Sequence, residues 1–401
     1  MSHGDGRAVW REPTAYLLMA TAMMAPFDVN VVGPALPTIA ETFGLSDART
    51  GLVITMFAIP GIFAGPIIGM LADRYGRRRV VIPCLLIYGL AGVGILAVES
   101  FTGVIALRFI QGLVGGSILA SLALTVVGDV YDGPTQNTVM GMTSASITVT
   151  AALAPAIGGA LASIAWDAPF AIYGLSVLVA GAVYLWLEEP VREGDSTLDF
   201  EYLREALRTV PTRPALGLYG ANFASFALYF GGVLTAASFL LNDTYGLGSG
   251  RIGSLITGAM LVSALVAILN GRFVRIITEQ QLISIGFVAY GFGLIGTWAT
   301  SSAGGVLGAL VFFGIGHGLV LPSVASALAG LAPTKFRGGV MSLRTSLVLT
   351  SQAAAPPLFT IPAAVIGYRS VLLTAGGLAF AGGLGAFLVL RYQLAIASGG
   401  E

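Results

Sequence analysis

Charged side chains are few in this chain: only 10% of its 401 residues are Asp, Glu, Lys or Arg, against about a quarter in an ordinary soluble domain. Acids and bases number twenty each, so the net charge is zero and there is no basic footprint for nucleic acid. A single cysteine, Cys84, excludes an internal disulfide. Two histidines, His3 and His317, with one thiol do not make a structural zinc site. The same scarcity leaves no nucleophile, base and orienting group from which to assemble an enzyme, so no catalytic residue and no cofactor are expected. Lysine occurs once, at Lys335, and nearly all positive charge is arginine.

What is present is apolar, at 56% of the chain. Runs of about twenty apolar residues, the length that crosses a bilayer core as helix, lie near 15–37, 50–72, 80–98, 102–126, 138–163 and 168–187. Six more lie near 214–241, 252–271, 280–300, 303–329, 340–363 and 370–390. The expected fold is an all-α membrane protein with twelve transmembrane helices and no room for a soluble domain.

The spans repeat. FGLSDARTGLVIT, residues 43–55, aligns without gaps to YGLGSGRIGSLIT, residues 245–257, with Gly, Leu, Arg, Gly, Ile and Thr held in place at one offset of 202. The same offset carries Gly69 onto Gly271. Val139, Met140, Ala154 and Pro155 pair in the same order with Val340, Met341, Ala355 and Pro356. Two copies of one unit predict two pseudo-symmetric six-helix bundles, 1–187 and 214–401. Between them, 188–213 is the one sizeable polar interval. Leu198, Tyr202, Leu203, Ala206, Leu207 and Val210 recur there at helical spacing opposite Glu201, Arg204, Glu205 and Arg208, which predicts a short helix on the membrane surface.

Orientation follows from basic residues, since short loops rich in Arg and Lys stay cytoplasmic. With the amino terminus inside, sixteen of the twenty fall on the cytoplasmic side, Arg49, Arg251 and Arg369 fall outside, and Arg108 is embedded. Both termini are expected in the cytoplasm and the protein in the cell membrane. The first apolar run continues to Leu36, past any small-residue cleavage site, which predicts a retained anchor.

Ionisable side chains inside the spans are rarer still: Asp28 and Arg108 are embedded, while Arg344 sits near enough to a cytoplasmic end to reach water along its own stem. A charge at mid-membrane costs roughly 2.5 to 3.5 kcal/mol on insertion scales, so both embedded groups should face the bundle interior and find partners. At a rise of 1.5 Å per residue, Asp28 lies ~13 Å and Arg108 ~10 Å below the outer ends of their helices. Gln111, one turn from Arg108, and Asn30 would complete a polar cluster. Two readings follow: Asp28 carries a proton and its charge state selects the conformation, or Asp28 and Arg108 form a permanent pair that locks the first and fourth helices together.

Three segments resemble the major facilitator superfamily, most closely its twelve-span drug:proton antiporters, and the resemblance runs over essentially the whole chain. GMLADRYGRRR after the second span matches a family signature through Gly69, Asp73, Gly76, Arg77, Arg78 and Arg79. Asp28 with Ala35, Leu36 and Pro37 matches the first-span pattern, and ALRFIQGLVGG matches another through Arg108, Gln111 and Gly112. The fifth span departs from the antiporter pattern: Thr150 and Ala154 replace two glycines, while Pro155, Gly158 and Gly159 remain. Small residues let two helices approach and Pro permits bending, which suits a helix that moves and equally a helix that is tightly packed.

The resemblance implies alternating access to a central cavity, driven by protons, with a small amphipathic compound exported. It also implies a conformational latch, in which Asp73 caps the amino end of the eleventh helix near Gly338–Val340 and Arg77 reaches Asp129. Arg275 and Phe230 stand where the repeat would place Asp73 and Asp28, so coupling is assigned to the first half. Met56, Phe57, Asn222, Tyr229 and His317 are candidates to line the cavity with Asn30 and Gln111; His317 is equally a packed, hydrogen-bonded residue. The expected partners are a small-molecule substrate, protons and the lipid bilayer, with the chain working as a monomer. A proton-coupled importer or a transport-fold receptor would use the same fold.

Overall fold

The structure is a computed structural model and describes residues 12–189, 212–332 and 337–398. The expected surface helix of the linker lies outside the described residues. The chain divides into two compact units, Met1–Leu198 and Asp199–Glu401.

In the first unit the membrane-length helices are α1 (Pro13–Phe43), α2 (Asp47–Tyr75), α3 (Arg77–Ala97), α4 (Phe101–Val130), α5 (Gly133–Ala162) and α6 (Ala168–Trp186). In the second they are α7 (Arg213–Tyr245), α8 (Ser249–Phe273), α9 (Glu279–Ala299) and α10 (Ala303–Leu331), followed by one long stretch, Arg337–Arg391. That stretch is two spans. Gly367, with φ 77° and ψ 154°, leaves helical geometry and divides it into α11 (337–366) and α12 (368–391). Among the described residues the eleven membrane-length runs therefore make the expected twelve spans. Apolar side chains such as Leu178, Ile268 and Val365 remain more than two-thirds exposed on the outside, as lipid-facing residues of a membrane bundle do.

The 202-residue repeat is visible in the backbone. Gly44 and Gly246, which it pairs, end α1 and α7 in the left-handed region at φ 60° and 63°. The next amide in each case reaches back to a carbonyl of the last turn, Leu45 to Ala40 (3.0 Å) and Leu247 to Leu241 (3.1 Å). Only glycine enters that conformation without strain, so the helix stop is written into both copies.

Two helices of the first unit are broken in mid-span. In α1 the segments Pro13–Ala22, Met24–Asn30, Gly33–Ala35 and Leu36–Phe43 follow one another. The prolines explain the breaks: Pro26 and Pro34 have no N–H to give to Ala22 and Asn30. In α4, Phe101–Leu113 ends at Val114, Gly115 is extended (φ −47°, ψ 163°), and a new helix starts at Gly116. In the second unit, α7 widens to a π-helix over Leu228–Ala237, where Thr235 Oγ1 donates to Phe230 O at 2.8 Å, five residues back. Interruptions of this kind gather at functional positions.

Candidate functional site

The break in α4 exposes two amides of a helix start in the middle of the bundle, where no water satisfies them. The break in α1 brings Asp28 against them. Its Oδ1 accepts from Gly116 N–H (2.9 Å) and its Oδ2 from Ser117 N–H (3.2 Å). Tyr88 Oη, from α3, lies 2.7 Å from Oδ1 and donates there. A carboxylate thus caps an internal helix start, where the aligned peptide dipoles favour negative charge. Gly116 has to be glycine, because a β-carbon would run into Ala25 and the Met24 carbonyl of α1. Asp28 is 3% exposed.

Arg108 is fully buried at 0% exposure. Its guanidinium donates to Asp28 O (2.6 Å), Val53 O (3.1 Å), Gln111 Oε1 (2.7 Å) and Tyr173 Oη (3.2 Å). Its carbon lies 4.2 Å from the centre of the Phe57 ring, a cation–π contact. One of the two readings of the sequence pairs the carboxylate with the guanidinium, and the geometry is different. Arg108 holds the main-chain oxygen of Asp28, while the Asp28 side chain turns to α4. Each group has several hydrogen-bond partners of its own, so burial does not require them to pair with one another. Gln111 joins the cluster, accepting from Arg108 and donating to Tyr88 O at 3.2 Å. Asn30 is buried in the same broken helix.

Tyr88 and Tyr173 were missed by the sequence reading. Tyr173 Oη donates to Phe27 O (2.9 Å), and the two rings meet edge to face at 5.3 Å. Both are tyrosines in the middle of otherwise apolar spans, and a phenol there needs a hydrogen-bond partner. That was the available signal.

At the end of α2, Arg77 NH1 lies 2.5 Å from Asp73 Oδ1, and its Nε lies 2.9 Å from Asp129 Oδ2 at the end of α4. Gly76 sits between α2 and α3 at φ 107°, a turn that requires glycine. Next to it, Glu189 Oε1 accepts from Arg78 N–H (3.3 Å), and Arg78 NH2 donates to Tyr184 O (2.5 Å). Gly69 has open space where a β-carbon would be.

Helix α5 runs as one helix through Pro155, so the proline does not break it. Gly158 allows close approach instead: a β-carbon there would collide with Val31 O in the break of α1. Gly159 is buried beside it.

Of the residues expected to line a cavity, Met56 is half-buried, and Phe57 is buried beneath Arg108 with its ring against Gly115. In the second unit, His317 Nδ1 lies 2.9 Å from Tyr290 Oη, which lies 2.5 Å from Ser225 Oγ. The histidine is hydrogen-bonded within its own unit. The Tyr229 ring lies 4.9 Å from it. Asn222 is 0% exposed and neither side-chain atom has a hydrogen-bond partner. A cavity of about 1120 Å³ in this unit is lined by α7, α9, the end of α10, α11 and α12, through residues such as Ala224, Leu228, Phe287, Phe359 and Leu378. Asn222, Tyr229 and His317 are not among its lining residues.

Among the described residues, twelve membrane-length helices, two of them broken in mid-span around a buried acid and a buried arginine, define a polytopic membrane protein. The Major Facilitator Superfamily matches residues 18–248 and again 218–395, and the chain belongs to that family. It is 24% identical over 349 residues to the bacillibactin exporter of Bacillus subtilis (strain 168), covering 81% of this chain and 84% of that one. It is 26% identical over 372 residues to a bicyclomycin resistance protein homolog of Haemophilus influenzae, covering 86% and 91%. In fold it is similar to a bacterial homolog of the human lysosomal transporter Spinster, solved inward-facing and unoccupied, with a TM-score of 0.75 at 19% identity over 97% and 96% of the two chains. The chain is a secondary transporter of small molecules.

Proposed function

We propose that the protein exports a small amphipathic compound across the cell membrane in exchange for protons, by alternating access, as a monomer with both termini in the cytoplasm. The observation that carries the coupling is Asp28: a carboxyl group sealed in the bundle and held only by donors that a change of conformation can withdraw. Ionised, it caps the second half of α4. Protonated, it gives up its attraction for the helix start and for the Tyr88 hydroxyl, and the junction between α1 and α4 loosens. Proton occupancy then biases one conformation over another by the difference in these contacts. Arg77 with Asp129 and Asp73 forms the latch on the cytoplasmic face. Export is supported by the names of the two similar chains, an exporter and a resistance protein. The departures Thr150 and Ala154 in α5 favour proton-coupled import as the second reading.

Inside-out vesicles with an acidic lumen separate these readings. Adding a transported dye to the bath makes the lumen more alkaline under exchange and more acidic under symport. Asp28→Asn abolishes either pH change while the protein still inserts; a pH change of wild-type size in that variant rejects the carrier role.

A further inference from the structure

We propose that the C-terminal unit holds a second proton site, His317, and that its proton decides whether α7 stays tied to α9 and α10. The sequence places coupling in the first unit alone, so this adds a joint to the mechanism. It needs no assumption about what is carried or in which direction.

Three buried side chains from three helices form one chain of hydrogen bonds. Ser225 Oγ of α7 lies 2.5 Å from Tyr290 Oη of α9, which lies 2.9 Å from His317 Nδ1 of α10. The internal repeat marks the place. Tyr290 stands at the 202-residue offset from Tyr88, the phenol that serves Asp28. Aligning α4 with α10 on Gly112 and Gly318 sets His317 opposite Gln111, which bonds to the Tyr88 carbonyl. The titratable partner of the tyrosine is a carboxyl group in the first unit and an imidazole in the second.

Counting hydrogens fixes the direction of the chain. Ser225 is 0% exposed and, among the described residues, has no acceptor for its hydroxyl hydrogen except Tyr290. A buried hydroxyl that fails to donate is costly, so Ser225 donates to Tyr290, and Tyr290 gives its own hydrogen bond to His317 Nδ1. The ring is then neutral, with its hydrogen on Nε2. One added proton makes both ring nitrogens donors. Nδ1–H donates to Tyr290 Oη, Tyr290 turns its hydrogen to Ser225 Oγ, and the Ser225 hydrogen loses its acceptor. An arrangement in which α7 draws Ser225 away and water reaches these groups escapes that loss, so proton binding and release of α7 favour one another.

Helix α7 is the loosest neighbour of this ring. Helix α10 lies backbone to backbone on the others: a β-carbon at Gly314 or Gly318 would collide with Ala259 O or Ser263 O of α8, and one at Gly316 with Gly286 O of α9. Helix α7 meets the imidazole through side chains, Ser225 by way of Tyr290, and the rings of Phe226 (6.1 Å) and Tyr229 (4.9 Å). Three residues beyond Ser225 begins the π-helix Leu228–Ala237, the part of α7 that departs from α geometry. The titratable groups facing the ring are Tyr290 of α9 and Tyr229 of α7; α8 presents backbone, and α10 itself adds Phe313 (6.0 Å). Among the described residues both ion pairs belong to the first unit, so none fixes the charge state of His317.

The test uses the full-length protein in phosphatidylcholine nanodiscs, with isotope-labelled histidine observed by nitrogen NMR. The chain has two histidines, and His3→Gln leaves the signals of His317 alone. At about pH 7.5 the ring should be neutral with its hydrogen on Nε2, and at about pH 4.5 it should be an imidazolium. Tyr290→Phe should spread the neutral ring over both tautomers. Hydrogen–deuterium exchange of peptides covering Leu228–Ala237, divided by the intrinsic rate at each pH, should be about fivefold faster at the lower pH, the worth of one hydrogen bond. His317→Gln offers Tyr290 an acceptor and takes no proton, so it should abolish that acceleration. Asp28→Asn should leave it, which keeps this site distinguishable from the first. A neutral ring with its hydrogen on Nδ1, a ring still neutral at the lower pH, or exchange that does not accelerate overturns the proposal, and these need no change at His317. Acceleration kept in His317→Gln, or lost in Asp28→Asn, assigns the effect to another group and overturns it as well.

Discussion

Arg108 grips the main-chain oxygen of Asp28 at 2.6 Å while the carboxylate of the same residue reaches away to the start of a helix in α4. One residue therefore ties the two segments of α4, before and after its break, by two different groups. Its backbone contact persists whatever the protonation state, and its side-chain contact does not. That separation lets a proton act on one joint of the bundle without dissolving the other.

Asp28→Asn should keep the fold. Its amide oxygen accepts from one of the two exposed N–H groups, and its amide nitrogen leaves the other unpaired, a loss of about 1 to 3 kcal/mol. Removing a buried charge returns part of that. The melting temperature in detergent, followed by tryptophan fluorescence, should fall by no more than a few degrees while proton-driven dye movement disappears. Collapse of the protein on this one change would show that the carboxylate is a structural brace.

Arg108→Lys should be far more damaging. The guanidinium serves four acceptors on four different elements and covers the Phe57 ring. An ammonium has one nitrogen and no planar fork, so it reaches at most some of them, and each acceptor abandoned in a dry interior costs about 1 to 3 kcal/mol. Poor recovery from membranes, or a melting temperature lowered by ten degrees or more, is the expected outcome. A stable, active lysine variant would mean that the positive charge alone suffices at this position.

The fold was legible because lipid imposes a simple grammar: twenty apolar residues, a short loop, a basic cluster on one side. The repeat was legible because turns need glycine, and Gly44 and Gly246 stop their helices in the same conformation. Asp28 and Arg108 stood out because charge in a span is costly. Their actual partners did not, since the helix break at Gly115 that frees two amides is a matter of backbone angles, which the run LVGGS does not declare. Tyr88 and Tyr173 sit among apolar residues, where pattern alone does not separate a hydrogen-bonding phenol from packing. Asn222 and His317 stand out by polarity, and His317 meets Tyr290 within its own unit.

Two glycines should respond in opposite directions. Gly158→Ala puts a methyl group into the Val31 carbonyl of α1 and should destabilise by about 1 to 3 kcal/mol through overpacking. Gly141→Ala lies in the same helix with open space around it, and should stabilise by up to about 1 kcal/mol through helix propensity alone. Thermal melts of the two variants beside wild type check both signs. Equal effects would mean that α1 and α5 are not in contact at Val31.

The sign of substrate charge sets how the membrane potential acts on export. A proton entering and a monovalent acid leaving both move positive charge inward, so two charges cross per cycle. At 100 mV, interior negative, with one pH unit across the membrane, the available free energy is roughly twice 2.3 plus 1.4, or about 6 kcal/mol. Exchange of a proton for a monovalent cation moves no net charge and leaves about 1.4 kcal/mol. The steady-state ratios differ by more than three decades. In proteoliposomes with a fixed pH gradient, clamping the potential at zero with valinomycin and equal potassium should therefore cut accumulation of an acidic dye steeply, to about tenfold, and leave that of a cationic dye unaltered. Acid-dye accumulation indifferent to the clamp would show that no net charge crosses per cycle, as when the acid leaves in its neutral form and no proton enters, and one-for-one exchange through Asp28 would be wrong.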